Sequence, residues 1–226
     1  MSKAVKPLII IVLAVALAGG AALYLSRQPD EAATTSGNSA APLKTSGGGH
    51  FRGPENAAIT LVEFGDYQCP SCKAYHPVVL ELLSRYPQQL RLEFHHYPLV
   101  SIHGNSMAAS LAVEAAGQQG RYWEMHDLVF EHQEEWSKSS NPEQNFLALA
   151  GSAGLNQNVF MQAMRSPQLQ DRVLQDVVRA RDANVEAVPT FFINGQKISV
   201  PLSISAFVDV IEQHLHGNAS KADTKP

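Results

Sequence analysis

The sequence predicts an α/β domain in which a helical block is inserted between two halves of a small mixed sheet. Three observations support this fold class. A strand, a helix and a second strand are indicated within 58–97, helical periodicity fills about 105–185, and two short strands and a last helix follow within 190–215. We therefore expect one domain at 57–217, with its helical insertion at about 104–186.

The first half of the domain is predicted from its apolar pattern. Residues 58–64 form an apolar, β-branched run typical of a buried strand, and Gly65 interrupts it. Apolar residues then recur at helical spacing over 70–85, with Pro70 where the first turn of a helix tolerates proline. Apolar and polar residues alternate over 90–97, which indicates a second strand.

The helical insertion is predicted from its start signals as well as from its periodicity. Asn141-Pro142 and Ser166-Pro167 each resemble an N-cap followed by proline at the first helical position. Gly154 separates two of the shorter helical segments. These signals divide the insertion into four or five helices.

The second half of the sheet is predicted around a hairpin. Residues 190–193 have strand character, and Asn194-Gly195 is a strong signal for a two-residue turn that leads into a strand at 197–200. Apolar residues at helical spacing return after Ser203 and predict the last helix. The predicted order is βαβ, helical block, ββα.

The N-terminal segment is predicted to insert into a membrane. Lys3 and Lys6 precede nineteen residues without charge, 7–25, which is near the length that crosses a bilayer core. The positive-inside rule then places the domain on the far side of the inner or plasma membrane, although Arg27 weakens the charge difference. Because 16–18 also offers a signal-peptide cleavage site, a single-pass anchor and a removed signal remain open.

Composition sets the remaining boundaries and excludes one class of partner. Residues 26–56 are rich in Ala, Ser, Thr, Gly and Pro and predict a flexible linker, while 218–226 predict a disordered tail. The formal net charge is −4 and no run is rich in lysine or arginine. Nucleic acid is therefore not expected as a partner. We expect a monomer.

The only two cysteines point to redox chemistry. Cys69 and Cys72 lie three positions apart, directly after a predicted strand and at the start of a predicted helix. The positive end of a helix dipole lowers a thiol pKa and favours the reactive thiolate. Cys69 is the residue so placed and is predicted to attack, while Cys72, one turn deeper, resolves the mixed disulfide. This redox-active pair replaces an external cofactor, and none is predicted.

Two structural roles for the pair are disfavoured by its context. A plain disulfide would close too short a loop to constrain the unfolded chain much. A zinc site would need two further ligands of matching spacing, and there is no second cysteine pair. The nine histidines do not supply such a motif, because His95 and His96 lie on opposite faces of a strand and His103 lies in a loop. No metal site is predicted.

Several segments together resemble one known family. They are Phe64-Gly65-Asp66-Tyr67-Gln68-Cys69-Pro70-Ser71-Cys72 and residues 53–57, 122–127 and 188–195. They resemble the DsbA-like branch of the thioredoxin superfamily over about 53–216. The resemblance implies a thioredoxin fold with an inserted helical subdomain, in agreement with the predicted order of elements.

The resemblance also implies a substrate-binding loop. It assigns Pro189 as a cis-proline that faces the disulfide, where Val188 would offer its N–H and C=O to an extended substrate chain beside Cys69. The Cys-x-x-Cys pair and the hairpin that follows favour this assignment, and the alternative is an ordinary proline at the start of a strand.

Glu63 and the dipeptide between the cysteines are the remaining candidates. A carboxylate inside an apolar strand is costly unless it is paired, solvated or neutral. In the family an acid at this point relays a proton to the buried cysteine, so Glu63 could serve Cys72; a solvent-facing acid is the alternative. Pro70 and Ser71 would contact substrate and tune the potential. The strongest oxidases of the family have histidine in place of Ser71, so we expect a moderately to strongly oxidising pair.

The resemblance implies an enzyme that introduces disulfides into exported, cysteine-containing proteins in the periplasm or another extracytoplasmic space. A membrane quinone-linked oxidase of the DsbB or vitamin-K-epoxide-reductase type would restore its disulfide. Three alternatives remain open at this point. They are a reductase or isomerase that runs the same exchange in reverse, a non-catalytic redox chaperone, and a copper-delivery module in which His76 is the nearest additional ligand.

Overall fold

The computed structural model describes residues 49–222, with side chains as far as His216. The predicted anchor or signal at 1–25 lies outside the described residues, as does most of the predicted linker. Within 49–222, no helix combines the length and the apolar composition that crossing a bilayer requires.

Five strands form one mixed sheet in the order β1-β3-β2-β4-β5. The strands are β1 (His50–Arg52), β2 (Ile59–Gly65), β3 (Leu90–His96), β4 (Thr190–Ile193) and β5 (Gln196–Ile198). The central pair, β2 and β3, is parallel, and the other pairs are antiparallel. Parallel neighbours need a crossover connection, and the helix predicted at 70–85 supplies it. The predicted βαβ and ββα halves are thereby confirmed.

Six helices of the described chain lie between β3 and β4 and form the predicted insertion. All eight described helices are α1 (Pro70–Arg85), α2 (Ser106–Gly117), α3 (Tyr122–Glu131), α4 (Gln133–Trp136), α5 (Pro142–Ser152), α6 (Gln157–Met164), α7 (Pro167–Asp182) and α8 (Ile204–Ala222). The short helix α4 is an addition to the predicted set. Prolines 142 and 167 begin α5 and α7 as expected, although neither preceding side chain makes a capping hydrogen bond.

The sheet is covered on both faces, which explains why all seven residues of β2 are buried. Leu61 and its neighbours on one face pack in a cluster with Val79 of α1 and Phe207 of α8. On the other face, Val62 and Phe64 pack in a cluster with α7. A separate core centred on the helical block holds the largest fully buried side chains of that block. Burial of each large apolar side chain stabilises the fold by roughly 1.5–3 kcal/mol.

Two predicted boundaries are corrected by the structure. The linker prediction of 26–56 extends too far, because β1 pairs with β3 and Arg52 forms an ion pair with Asp127 at 2.8 Å. A strand of three residues has no apolar period to reveal it, and it is held by partners distant in sequence. The tail prediction of 218–226 also begins too early, because α8 extends to Ala222.

Candidate active site

The cysteine pair lies where β2 gives way to α1. Cys69 occupies the N-cap position, and Pro70 is the first helical residue, as predicted. The backbone N–H of Cys69 donates to the carbonyl oxygen of Asp66 at 3.0 Å, which closes the turn after β2. Both cysteines are free thiols; Cys69 is 9 % exposed and Cys72 is fully buried. Only Cys69 is therefore open to a partner protein.

The two thiols differ strongly in acidity. A hydrogen bond from the Cys72 thiol lowers the pKa of Cys69 to about 6; the N–H groups of Cys72 and Ser71 act in the same direction, against burial and the charge of Asp66. Burial raises the pKa of Cys72 well above its ordinary value, and its hydrogen bond to Cys69 adds to that rise. At neutral pH the pair thus holds one thiolate, on Cys69, which is the attacking species.

Glu63 lies in the interior, on β2, and is 2 % exposed. Its Oε1 atom has no hydrogen-bond partner within residues 49–222, and burial raises the pKa of its carboxyl to about 8. The alternative of a solvent-facing acid does not hold. Glu63 is near enough to Cys72 for its charge to raise the pKa of that thiol. The structure therefore places a neutral proton donor close to the buried cysteine.

The loop before β4 lies against the reactive cysteine. The peptide bond between Val188 and Pro189 is cis, the geometry that the resemblance implied. Sγ of Cys69 lies 3.8 Å from the carbonyl oxygen of Val188. The structure thus brings Val188 and Pro189 beside Cys69, Pro70 and Ser71, although the two segments are far apart in sequence. Backbone polar groups at this point can pair with an extended substrate chain.

The helical block holds the active-site loop in place through a residue that sequence reasoning missed. The side-chain amide of Gln133, on α4, donates to the carbonyl oxygens of Tyr67 and Cys69 at 2.6 and 3.0 Å. Gln68 of the same loop donates to the carbonyl oxygen of Ser137 at 2.7 Å. No local pattern marks a buried glutamine as an anchor, since its partners are contributed by another element.

Asp66 is the second residue that sequence reasoning missed, and it is fully buried. Its backbone N–H lies 3.4 Å from Sγ of Cys72. Its carboxylate accepts hydrogen bonds from the backbone N–H groups of Gln68 and Leu99, at 2.8 and 2.9 Å, and lies 2.7 Å from Nδ1 of His103. A buried carboxylate normally requires such partners. Asp66 therefore joins the cysteine turn to the loop that follows β3.

Another cluster of potential ligands lies apart from the cysteines. His76, His126 and Asp127 each place one ligand atom within 4.8 Å of the others. Arg52 donates to both carboxylate oxygens of Asp127, at 2.9 and 2.8 Å, and the hydroxyl of Tyr67 lies 2.8 Å from Nδ1 of His126. Two members of the cluster are therefore already bonded within the protein. The absence of a metal site stays a prediction.

The fold and the site together define a class of protein. A Cys-x-x-Cys pair at a helix N-terminus, with one acidic exposed thiol and one buried thiol, is the arrangement that thiol-disulfide exchange requires. The chain thus combines a thioredoxin fold with a Cys-x-x-Cys site of this kind. A family model described as thioredoxin matches residues 45–213, and the chain belongs to that family.

Solved structures share the fold. BdbD from Bacillus subtilis, in its oxidised form, superposes with a TM-score of 0.67 at 24% identity, over 75% of this chain and 94% of that one. The thiol-disulfide exchange protein alpha-DsbA2 from Wolbachia pipientis gives a TM-score of 0.63 at 17% identity, over 73% of this chain and 86% of that one. These similarities support the inserted thioredoxin fold.

Curated relatives are longer proteins. The Na(+)/H(+) antiporter NhaA 3 of Salinispora tropica is 37% identical over 157 residues, which is 70% of this chain and 23% of the antiporter. NhaA 1 of Salinispora arenicola is 37% identical over 148 residues, or 66% of this chain and 22% of the antiporter. This chain therefore spans about a quarter of the length of the curated relatives it matches.

Proposed function

We propose that the protein is a disulfide donor that oxidises cysteine thiols of exported proteins. The observation that carries the proposal is the low pKa of Cys69, about 6. Whatever stabilises this thiolate stabilises the reduced form of the pair, and an oxidant whose reduced form is stable transfers its disulfide readily. The backbone N–H of Ser71 donates a hydrogen bond to this thiolate. The strongest oxidases of the DsbA-like family have a histidine at the position of Ser71.

The first exchange step uses the oxidised pair. A substrate thiolate attacks Sγ of Cys69, a new disulfide forms between substrate and Cys69, and the bond between Cys69 and Cys72 breaks with its electron pair on Cys72. The Cys72 thiolate is disfavoured by burial and takes the proton of Glu63, which is neutral below pH of about 8. The negative charge then lies on Glu63, whose raised pKa, about 8, means that it regains a proton from solvent at neutral pH.

The second step releases the product. Another thiolate of the substrate attacks the substrate sulfur of the mixed disulfide, and Cys69 leaves with the electron pair. A thiol of low pKa leaves faster, and the pKa of Cys69 is the lower of the two. The carbonyl oxygen of Val188, 3.8 Å from Sγ of Cys69, can accept a backbone N–H of the bound substrate chain. The substrate is thus held in an extended form beside the reacting sulfur.

The proposal includes a location and a regenerating partner. Residues 7–25 would anchor or export the chain, so that the domain works on the oxidising side of the membrane. A membrane quinone-linked oxidase would then re-form the disulfide. The matched relatives are named as antiporters, which are membrane proteins, and this supports a position next to a membrane. Ion transport remains an attribute of those longer proteins.

Copper delivery is supported less well. Metal capture by the two thiolates would gain from a further ligand, and His76 was the nearest in sequence. The ring of His76 instead stacks on Phe130 at 4.9 Å and lies beside Asp127, with its Nε2 atom 3.5 Å from the carboxylate. The imidazole is therefore turned toward the helical block.

The equilibrium reduction potential tests the direction of electron flow. The full-length chain in mild detergent would be equilibrated with glutathione buffers, and the fraction of the Cys69–Cys72 disulfide would be measured by alkylation of the free thiols. We expect a value above those of glutaredoxins, about −200 to −230 mV, and below the oxidising extreme of the superfamily, about −120 mV. A value of about −270 mV would indicate a reductase and would contradict the proposal that the protein is a disulfide donor. Cys69→Ser serves as the control without a redox couple.

A further inference from the structure

A cavity of about 650 Å³ opens beside the reactive cysteine, between α1 and the helical block. Gln68 and Pro70, the two neighbours of Cys69 in sequence, both line it. Its opposite side includes Gln133 of α4 and His103, which lies in the loop after β3. The cavity therefore borders the turn that carries Cys69 through Gln68 and Pro70, on a side that Val188 does not line.

His103 is held in one orientation at this cavity. Its Nδ1 atom lies 2.7 Å from Oδ2 of Asp66, while its side chain is 17 % exposed. Two backbone N–H groups also donate to the Asp66 carboxylate, so that carboxylate is the acceptor and Nδ1 of His103 carries the hydrogen. In neutral imidazole the other nitrogen, Nε2, then has a free lone pair. Within 49–222, no protein group is bonded to it. A base oriented by a buried carboxylate is the arrangement of an activated nucleophile site.

The incoming substrate is where such a base is needed. An ordinary cysteine thiol has a pKa of about 8.5, so only a few per cent of it is thiolate at neutral pH, and the thiol itself does not attack a disulfide. The pair's own groups do not help, since the Cys69 thiolate forms only after the attack and Glu63 is a proton donor. The remaining charges of the cavity are Lys73, paired with Glu134 at 2.9 Å, and Lys138.

We propose that His103 is a catalytic base for the substrate thiol, an inference that rests on the proposed function. Nε2 of His103, directly or through one water, accepts the proton of a thiol bound in the cavity. The thiol sulfur forms a bond to Sγ of Cys69, the bond between Cys69 and Cys72 breaks, and Cys72 takes the electron pair and then the proton of Glu63. Asp66 stabilises the imidazolium that results. The loop of His103 also exposes Val100 and Ile102, apolar side chains that an unfolded polypeptide can contact.

The acidity of the thiol provides the test. The oxidised full-length chain in detergent would be reduced by 2-mercaptoethanol or by 2,2,2-trifluoroethanethiol at pH 8, and the rates followed by acid quenching and alkylation. These thiols are similar in size, but the second is largely ionised at that pH and needs no base. In His103→Gln we expect the rate with mercaptoethanol to fall about tenfold or more, since base catalysis contributes roughly 10²–10⁴-fold. The rate with trifluoroethanethiol should stay within about twofold.

A matched control and a pH profile separate this role from a structural one. His216→Gln removes a histidine of a surface pair with Glu212 and should leave both rates unchanged. The pH profile of the rate with mercaptoethanol should differ between wild type and His103→Gln, whereas the two profiles with trifluoroethanethiol should coincide. Equal slowing with both thiols, or no slowing with either, would overturn the proposal. A reduction potential of about −270 mV for the wild-type cysteine pair would overturn the proposed function instead. The rates with the two thiols would still show whether His103 acts as a base.

Discussion

Sγ of Cys69 lies 3.8 Å from the carbonyl oxygen of Val188, which joins the start of α1 to the loop before β4. Gln133, from the helical insertion, binds the carbonyl oxygen of Cys69 at 3.0 Å. The site is thus assembled from both halves of the sheet and from the insertion. The start of α1 supplies the acidic thiol, the loop before β4 places a backbone carbonyl against it, and the insertion holds the cysteine turn.

The acidity of Cys69 should depend mainly on the neighbouring thiol. A hydrogen bond from Cys72 is the largest cause of its low pKa. In Cys72→Ala that donor is lost, so we expect the pKa of Cys69 to rise from about 6 toward the ordinary thiol value. Cys72→Ser keeps a donor and should show a smaller rise. The pH dependence of alkylation by iodoacetamide measures both values; an unchanged pKa in Cys72→Ala would contradict this account.

Glu63 should make the reduced protein less stable as pH rises. Its pKa is raised from 4.5 to about 8 on folding, so the folded state binds one more proton than the unfolded state between those values. The stabilisation is fully present below pH 4.5 and is lost as pH rises through about 8. The loss is on the order of 1 kcal/mol per pH unit in that window.

The variant Glu63→Gln isolates this contribution. Glutamine has the same shape and no titration, so the difference in unfolding free energy between variant and wild type should grow in favour of the variant from pH 5 to pH 8. Urea unfolding of the reduced proteins at several pH values measures it. Parallel curves for the two proteins across this range would mean that Glu63 is already ionised in the folded state.

The parts of the fold that depend on local pattern could be predicted from sequence. Helix α1 has the predicted bounds because proline starts it and apolar residues recur on one side. The strand at 190–193 and its hairpin follow equally from β-branched and aromatic residues before Asn194-Gly195. In each case the signal lies within the element itself. The cysteine pair was found for the same reason, since its spacing and its context are adjacent in sequence.

The parts that depend on distant partners could not be predicted. Strand β1 forms because it pairs with the edge of β3. The sequence indicates only that His103 lies in a loop, because Asp66, the residue that it contacts, is 37 residues away. The depth of Glu63 is similarly a property of the assembled sheet. Polar residues that are buried against partners elsewhere in the chain look, in sequence, like ordinary surface residues.

Gln133 should contribute more to the free energy of unfolding than an average surface residue does. Its amide satisfies two backbone carbonyls of the active-site loop, at 2.6 and 3.0 Å, and it is buried. Gln133→Leu leaves both acceptors without this donor, and each unsatisfied buried group costs about 1–3 kcal/mol. We expect a fall of roughly 2–4 kcal/mol in the free energy of unfolding. Gln144→Leu, at an exposed position of α5, is the matched control and should change it little.

A buried network of charges should contribute strongly where α7 meets the sheet. Asp176 of α7 is fully buried; its carboxylate lies 2.7 Å from Nδ1 of His95 and from Arg172, and it accepts the backbone N–H of His96 at 3.1 Å. Burial raises its pKa, but the hydrogen bond and charge of His95 outweigh that and hold the pKa below its ordinary value. The carboxylate is therefore charged and paired at neutral pH.

Removal of that carboxylate takes a buried partner from Arg172 and from His95, which keeps Glu93 at 2.9 Å. Asp176→Ala should lower the free energy of unfolding by about 3–5 kcal/mol at neutral pH, whereas Asp171→Ala, exposed on the same helix, should have a small effect. The pKa of Asp176 is lower in the folded state than in the unfolded state. Its contribution to the free energy of unfolding is therefore present above its pKa in the unfolded state, and it is lost as pH falls through its pKa in the folded state. The difference between Asp176→Ala and wild type should therefore shrink on acidification. Chemical denaturation at neutral and acidic pH measures this, and a cost at neutral pH no larger than that of Asp171→Ala would show that the network does not hold α7 to the sheet.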